Sequence, residues 1–580
     1  MFSKHYQGEL GYLRAMGKAF AQVNPSIAGL LAERGGDPDV ERLLEGFAFL
    51  SARIRERSED CVPEVIHDLT EILLPHYLRP IPACSIVEFQ PVAGALRTRV
   101  TLQPETELAT AAREGTQCLF RTSAAVDLLP LQLRDVLLDS STGAAPVLRV
   151  RLEAAQPALP AIFQEGGIRF FIHGDLPLAS TLLLWIARHL RSVQVRGLST
   201  GRATTLRPQS VRVAGFDPSL PLLPWPTFAP PGYRTLQEYF ALPQKFLFFE
   251  VRGLDAVAAP EEQFELALQF ERPPELPARV GRDTLRLNCV PVVNLFRTTA
   301  DPIPLHALGA EHLVRAAELP PGQMEIYSVD SATGIPEGTG PRIAYRPFFA
   351  FGHGATDTQG SYYRLRRRLS PIDDGIDTFL SATRPADEGP GPEPHVLSLD
   401  VTCTNRSLPA QLQLGDISLA TAGSPTLATF RNIVAVTRPV RPPLGSELHW
   451  RLLAHLAAGR SSVTDAAALR TLLDLYNLQG AVDLQSGRAN GLRVEGIRQV
   501  EATAARRLLA GAPVRGTRMA IELEEDHFAS AGDAFLFASV VDEVLAARAS
   551  LNTFCELAVR LQPSQRAYSF PARSGARVLL

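Results

Sequence analysis

Gly232-Tyr233-Arg234-Thr235-Leu236-Gln237-Glu238-Tyr239-Phe240-Ala241-Leu242-Pro243-Gln244-Lys245-Phe246-Leu247-Phe248-Phe249-Glu250-Val251-Arg252-Gly253-Leu254 is the stretch on which the reading of this chain turns. Leu236, Tyr239 and Phe240 share one face of a short amphipathic helix. Pro243 ends that helix, because proline lacks the amide proton and pushes the residue before it to an extended shape. An aromatic strand follows, with Phe246, Phe248 and Phe249. Alternate strand positions must point inward, so these rings and Tyr239 and Phe240 are expected in a core rather than at an interface. The stretch carries packing and no catalytic constellation.

Upstream, residues 1–80 read as helical. Tyr6, Leu10, Leu13 and Phe20 recur at helical spacing, and Met1 to Phe20 has no apolar core or cleavage site of a signal peptide. Asp37 before Pro38 reads as an N-cap with proline at the first helical position. That helix places Val40, Leu43, Leu44, Phe47, Leu50 and Ile54 on one stripe. A third helix is expected from Pro63, burying Ile66, Leu69, Ile72 and Leu73 and stopping before Pro75.

From Ser85 the pattern turns to short strands parted by Pro and Gly, with one helix at Leu176 to Leu190. Residues 256–445 continue in strands, and residues 382–395 read as a loop rich in Pro, Gly, Asp and Glu. The last quarter mixes helices (Leu448 to Ala457, Asp465 to Tyr476, Gly532 to Ser550) with strands (Gly516 to Leu523, Phe554 to Leu561). Phe535, Val540, Val541, Val544 and Leu545 are expected inward. The expectation is a multidomain α+β protein: a helical N-terminal segment (1–82), two β-rich domains (83–255 and 256–445) and an α/β C-terminal domain (446–580).

Candidate chemistry is sparse. Lys and Arg number 58 against 61 Asp and Glu, a formal charge of −3 over 580 residues. That near-neutrality argues against a nucleic-acid footprint, and the longest apolar run, Leu182 to Ala187, is too short to span a bilayer. Gly197-Leu198-Ser199-Thr200-Gly201 fits the nucleophile-elbow pattern, but a strand rather than a helix is expected after it, which makes it a hairpin turn. Asp373-Asp374-Gly375-Ile376-Asp377 lacks the alternating ligands of a calcium loop. His449 and His455 sit six apart and cannot chelate one ion as an i, i+4 pair would; Trp450, Leu453 and Leu456 beside them suggest a packing face. Cys61, Cys84, Cys118, Cys289, Cys403 and Cys555 form no metal-ligand spacing and read as reduced, buried thiols. No catalytic residue, cofactor or metal is expected.

Phrases along the chain resemble one family. They include Tyr6-x-x-Glu9-Leu10-x-Tyr12-Leu13-Arg14, Asp39 to Leu50, Pro75-His76-Tyr77-Leu78-Arg79-Pro80, Cys118 to Thr122 and Phe170 to Gly174. The Gly232–Leu254 stretch follows, then Pro291 to Phe296, Tyr345 to Phe349, Cys403-Thr404-Asn405-Arg406-Ser407-Leu408-Pro409 and Arg441 to Gly445. Together they are similar to TssF, the wedge subunit of the type VI secretion baseplate, itself similar to wedge proteins of contractile phage tails. The chain departs from the pattern after Trp450-Arg451-Leu452-Leu453, at Val514-Arg515-Gly516 and at Phe570 to Arg573, so the C-terminal domain is the divergent part.

The resemblance implies a structural protein and not an enzyme, in the cytoplasm at the inner face of the bacterial inner membrane. It implies a wedge of two TssF copies with one TssG, joined by TssK and TssE, beside neighbouring wedges around the VgrG spike, triggering tail tube and sheath polymerisation. Its partners include neither nucleic acid nor an inserted membrane. A phage or phage-like particle is the alternative machine, and a hydrolase using Ser199 or Asp373 the alternative class. Amphipathic N-terminal helices on proline-bounded tethers suit a bundle shared between chains. Tyr6, Leu10, Leu13, Leu43, Phe47 and Leu50 are therefore the candidate partner-binding residues.

Overall fold

The computed structural model describes residues 6–7, 10–13, 16, 38–140, 145–154, 163, 166–226, 229–256, 262–305, 310–317, 320–336, 340–348, 361–370, 375–383, 395–444, 446–460, 465–509 and 512–575; among these, side chains 38, 40, 41, 52–64, 256, 321, 446, 456–460, 509 and 512 are outside the description. The Asp37 cap, residues 384–394 of the expected loop, and Asp373 and Asp374 fall outside it. The chain forms two compact units: Met1–Leu78 with Pro443–Leu453, and Arg79–Pro442 with Ala454–Leu580.

The smaller unit is built on one helix, Pro38–Leu73, of 36 residues, about 54 Å long at the usual rise per residue. Two helices were expected here, the second starting at Pro63. The helix formers Ala52 to Arg57 instead carry a single helix through Pro63, at the roughly 3 kcal/mol an interior proline costs. A 3-10 turn, Pro75–Leu78, follows with all four residues buried.

The larger unit is dominated by antiparallel sheets. One six-stranded sheet runs in the spatial order 417–419, 107–110, 119–122, 289–293, 84–91, 428–432. In it Val87 lies opposite Val290 on one side and Asn432 on the other, so sequence-distant strands close one sheet. A second sheet joins 203–206, 190–197, 263–270, 147–154 and 131–139; a third, of eight strands, is centred on His395–Thr404 against Glu325–Pro336. Its buried side (Leu380, Leu397, Leu399, Val401, Cys403) forms a continuous apolar cluster.

The stretch quoted first sits in a four-stranded sheet ordered 211–213, 248–251, 168–172, 285–287. Its helix is Pro231–Ala241. Phe246 ends a 3-10 turn, Pro243–Phe246, instead of opening the strand. The strand is Phe248–Val251, and all four residues are buried, not only alternate ones. The strand is central, so both faces are covered. Phe249 stacks on Phe170 at 5.1 Å and Phe248 lies 5.0 Å from Phe171. The rings of Tyr239 and Phe240 are buried as well, so all five belong to the core.

The C-terminal sheet pairs Ile497–Leu509 with Ala512–Glu524, which runs parallel to Thr553–Gln562. The helix Ala531–Arg548 crosses between those last two strands, as a parallel connection requires. Phe535, Val540, Val541, Val544 and Leu545 are buried on it. Gly532 lies against the backbone of Ser180 and Thr181, where a Cβ would collide. A helix at Leu484–Glu495 and the strand Ile497–Leu509 were missed in the sequence, since neither carries a strong apolar period.

Candidate partner-binding surface

An apolar stripe is a helix's reason to be buried, and here the long helix of the smaller unit leaves it open. Leu43, Phe47 and Leu50 are spaced i, i+4, i+7 and are 68%, 65% and 59% exposed. Twenty-two residues on, about six turns later, Val65, Leu69 and Ile72 repeat the spacing on nearly the same face. They are exposed too, as is Leu73, which corrects the expectation that Leu69, Ile72 and Leu73 are buried. Trp450 and Leu453, expected to line a packing face, are 73% and 55% exposed.

More than half of the large exposed apolar side chains among the described residues lie in this smaller unit. Monomeric surfaces rarely leave contiguous apolar patches of this kind open. Tyr6, Leu10 and Leu13 are helical and half-buried, beside exposed Tyr12 and Met16. Sequence reading found Leu43, Phe47 and Leu50 by periodicity. It missed the exposure of Leu69, Ile72 and Leu73, because a periodic stripe shows which side chains share a face and not whether that face is covered.

The motifs weighed for chemistry resolve into structure. Ser199 sits on the turn between Leu190–Gly197 and Ala203–Leu206, which pair antiparallel. Gly197 N–H donates to Arg202 O at 2.9 Å and Gly201 adopts φ +68°. A strand follows Ser199, so its hydroxyl lacks the strand-to-helix elbow. His455 is buried, 2.9 Å from the Tyr476 hydroxyl and edge-on to Tyr233. Cys84, Cys118, Cys289, Cys403 and Cys555 are free and buried. Burial pushes the Cys118 thiol up to about 11 and those of Cys403 and Cys555 to about 12, so they stay protonated and inert. Among the described residues no cluster has metal-ligand geometry, and no helix is long and apolar enough to cross a membrane.

The chain is thus a multi-sheet α+β protein with a long helix whose apolar stripe is exposed. It belongs to the type VI secretion system TssF family, whose sequence model matches residues 1–577. It is 30% identical to type VI secretion system component TssF1 of Pseudomonas aeruginosa, over 99% of this chain and 98% of that one. A chain in a cryo-electron-microscopy structure of the TssK-TssF-TssG baseplate subcomplex superposes with TM-score 0.81 at 30% identity, covering 93% of this chain and 99% of that one. A chain of a type VI secretion baseplate complex gives TM-score 0.64 at 26% identity, covering all of both.

Proposed function

We propose that this chain is a structural subunit of the type VI secretion baseplate wedge. It binds TssG, with two copies of this chain per TssG, and meets TssK, TssE, neighbouring wedges and the VgrG spike to initiate tube and sheath polymerisation. The work is mechanical: large interfaces hold partners in fixed geometry and rearrange on firing. The observation that carries this reading is the exposed Leu43–Phe47–Leu50 stripe on a chain that matches the family from end to end. Tyr6, Leu10, Leu13, Leu43, Phe47 and Leu50 enter the shared bundle. The assembled subunit sits in the cytoplasm against the inner membrane.

The test is co-expression with a TssG-like protein from the same genome, followed by mass determination of the purified complex. A stable two-to-one complex is expected. A chain that stays monomeric beside that protein overturns the reading.

A further inference from the structure

The hairpin formed by Ile497–Leu509 and Ala512–Glu524 carries an excess of positive charge. From Ala502 to Ile521 the sequence holds four arginines, Arg506, Arg507, Arg515 and Arg518, and no Asp or Glu. Register sets Arg506 directly opposite Arg515. Both are exposed, and neither forms an ion pair among the described residues. Like charges that face one another across two strands repel. Successive strand residues point to opposite faces, so Arg507 and Arg518 lie on the other side of the hairpin. There they share one carboxylate: Arg507 Nη2 stands 2.6 Å from Glu556 Oε1, and Arg518 Nε 3.6 Å from Glu556 Oε2. Among the described residues, four guanidiniums thus meet one carboxylate.

The same hairpin has an open edge. Ile497–Leu509 is the last strand of its sheet and pairs on one side only, with Ala512–Glu524. Arg470 Nε donates to Ile497 O at 2.8 Å and closes the edge at its first residue. From Glu501 to Leu508, no group outside the hairpin hydrogen-bonds to the backbone among the described residues. The side chains there are exposed or half-buried on both faces, and Leu508 is 75% exposed. Proline, a bulge or a covering element are the usual means by which an edge strand is closed to other chains. Glu501 to Leu508 contains no proline and no register shift. Charge alone guards the edge, and charge of one sign repels basic strands while it favours acidic ones. An added strand alternates its side chains between the two faces as well, so two adjacent acidic residues reach the arginines of both faces at once.

We propose that the outer edge of Glu501–Leu508 receives an extended acidic segment of a partner protein as an added strand, with one carboxylate meeting Arg506 and Arg515 on one face and the next meeting Arg507 and Arg518 on the other. Backbone hydrogen bonds supply the docking, and the arginines select the sequence. A polypeptide suits this edge better than a nucleic acid, because it brings N–H and C=O groups at the spacing of the strand. The inference stands on the hairpin and not on the wedge reading.

The test titrates the full chain into the fluorescent peptide acetyl-Thr-Val-Glu-Glu-Val-Thr-amide and reads anisotropy. A second probe is the same peptide with alternate backbone amides N-methylated, which keeps the charge and loses the edge bonds. A single-stranded oligonucleotide is the third. Saturable binding of the first peptide is expected, weakened by added salt. Arg506→Ala and Arg507→Ala, both at exposed positions, should each weaken it about threefold with the unfolding midpoint of the chain unchanged. The N-methylated peptide should not bind. Absence of saturation, equal binding of the N-methylated peptide, binding unchanged in both arginine variants, or an oligonucleotide that binds as tightly would each overturn the proposal. So would dimerisation of the chain alone that Arg506→Ala prevents, which would assign the edge to a second copy.

Discussion

Lys245 Nζ stands 2.9 Å from Glu238 Oε2, with the two side chains 3% and 0% exposed. The other oxygen of Glu238 accepts from the backbone N–H groups of Leu222 and Leu223 at 2.8 and 3.0 Å. One carboxylate thus ties the loop before the helix Pro231–Ala241 to the turn after it. Burial pulls the Lys245 pKa down, and Glu238 beside it works against that fall. Removing one partner of a buried pair costs up to about 3–5 kcal/mol, and Arg234 Nε, 3.7 Å from Glu238 Oε1, offsets part of that loss for Glu238. Lys245→Met should therefore lower the urea midpoint sharply, and Lys245→Met with Glu238→Gln should recover part of the loss. A double variant as unstable as the sum of the singles would mean that the pair is uncoupled.

If the open helix face is the partner surface proposed above, folding and assembly respond to different substitutions. Leu43→Glu and Phe47→Glu replace exposed side chains, so each should shift the stability of the isolated chain by no more than about 0.5 kcal/mol. Both should abolish co-purification with the TssG-like partner. Leu236→Glu, at a fully buried position, should instead prevent folding. Retained co-purification in both surface variants would remove the stripe from the interface.

Glu325 makes stability depend on pH in a known sense. Its folded pKa of about 7 lies above the ordinary 4.5. The folded chain therefore holds a proton that the unfolded chain has released in that window, and this contribution is complete below pH 4.5 and lost as pH rises through 7. Glu325→Gln should flatten the fall in thermal midpoint between pH 5 and pH 8. An equally steep fall in the variant would assign the effect to other groups.

Two glycines should respond with opposite signs. A Cβ on Gly232 would lie 2.7 Å from Ala547 Cβ and from Glu543 O, so Gly232→Ala must push apart the helices Pro231–Ala241 and Ala531–Arg548. The expected cost is about 1–3 kcal/mol. Gly46 is helical and faces open space. Gly46→Ala should stabilise the isolated chain by roughly 0.5–1 kcal/mol. Denaturant titration of both reads the contrast.

Much of this was legible in the sequence where local rules act. The helix Pro231–Ala241 and its proline stop follow from spacing and backbone sterics, and the hairpin at Ser199 from the strand after it. The single helix through Pro63 was not legible, because a proline costs a fixed amount while the flanking helix formers decide whether it is tolerated. Nor were the partners of Glu325 and Arg406, which are 81 residues apart and meet only because a sheet brings their strand ends together. Of the candidate surface, periodicity gave the stripe at Leu43, Phe47 and Leu50. It could not give the exposure, which depends on what the rest of the chain leaves uncovered.

The pairing of Cys84–Pro91 with Ala428–Asn432 also has a consequence in time. A ribosome adding about 5–20 residues per second needs tens of seconds to travel from the first strand to the second. For most of that interval the helix Pro38–Leu73 is already synthesised while the sheet that contains Cys84–Pro91 lacks a strand. The proposed partner surface is thus made first, and the sheet that follows it in sequence is finished late. Ribosome-bound chains halted before residue 428 should accordingly be cut by protease within residues 84–91, and chains halted after residue 470 should resist.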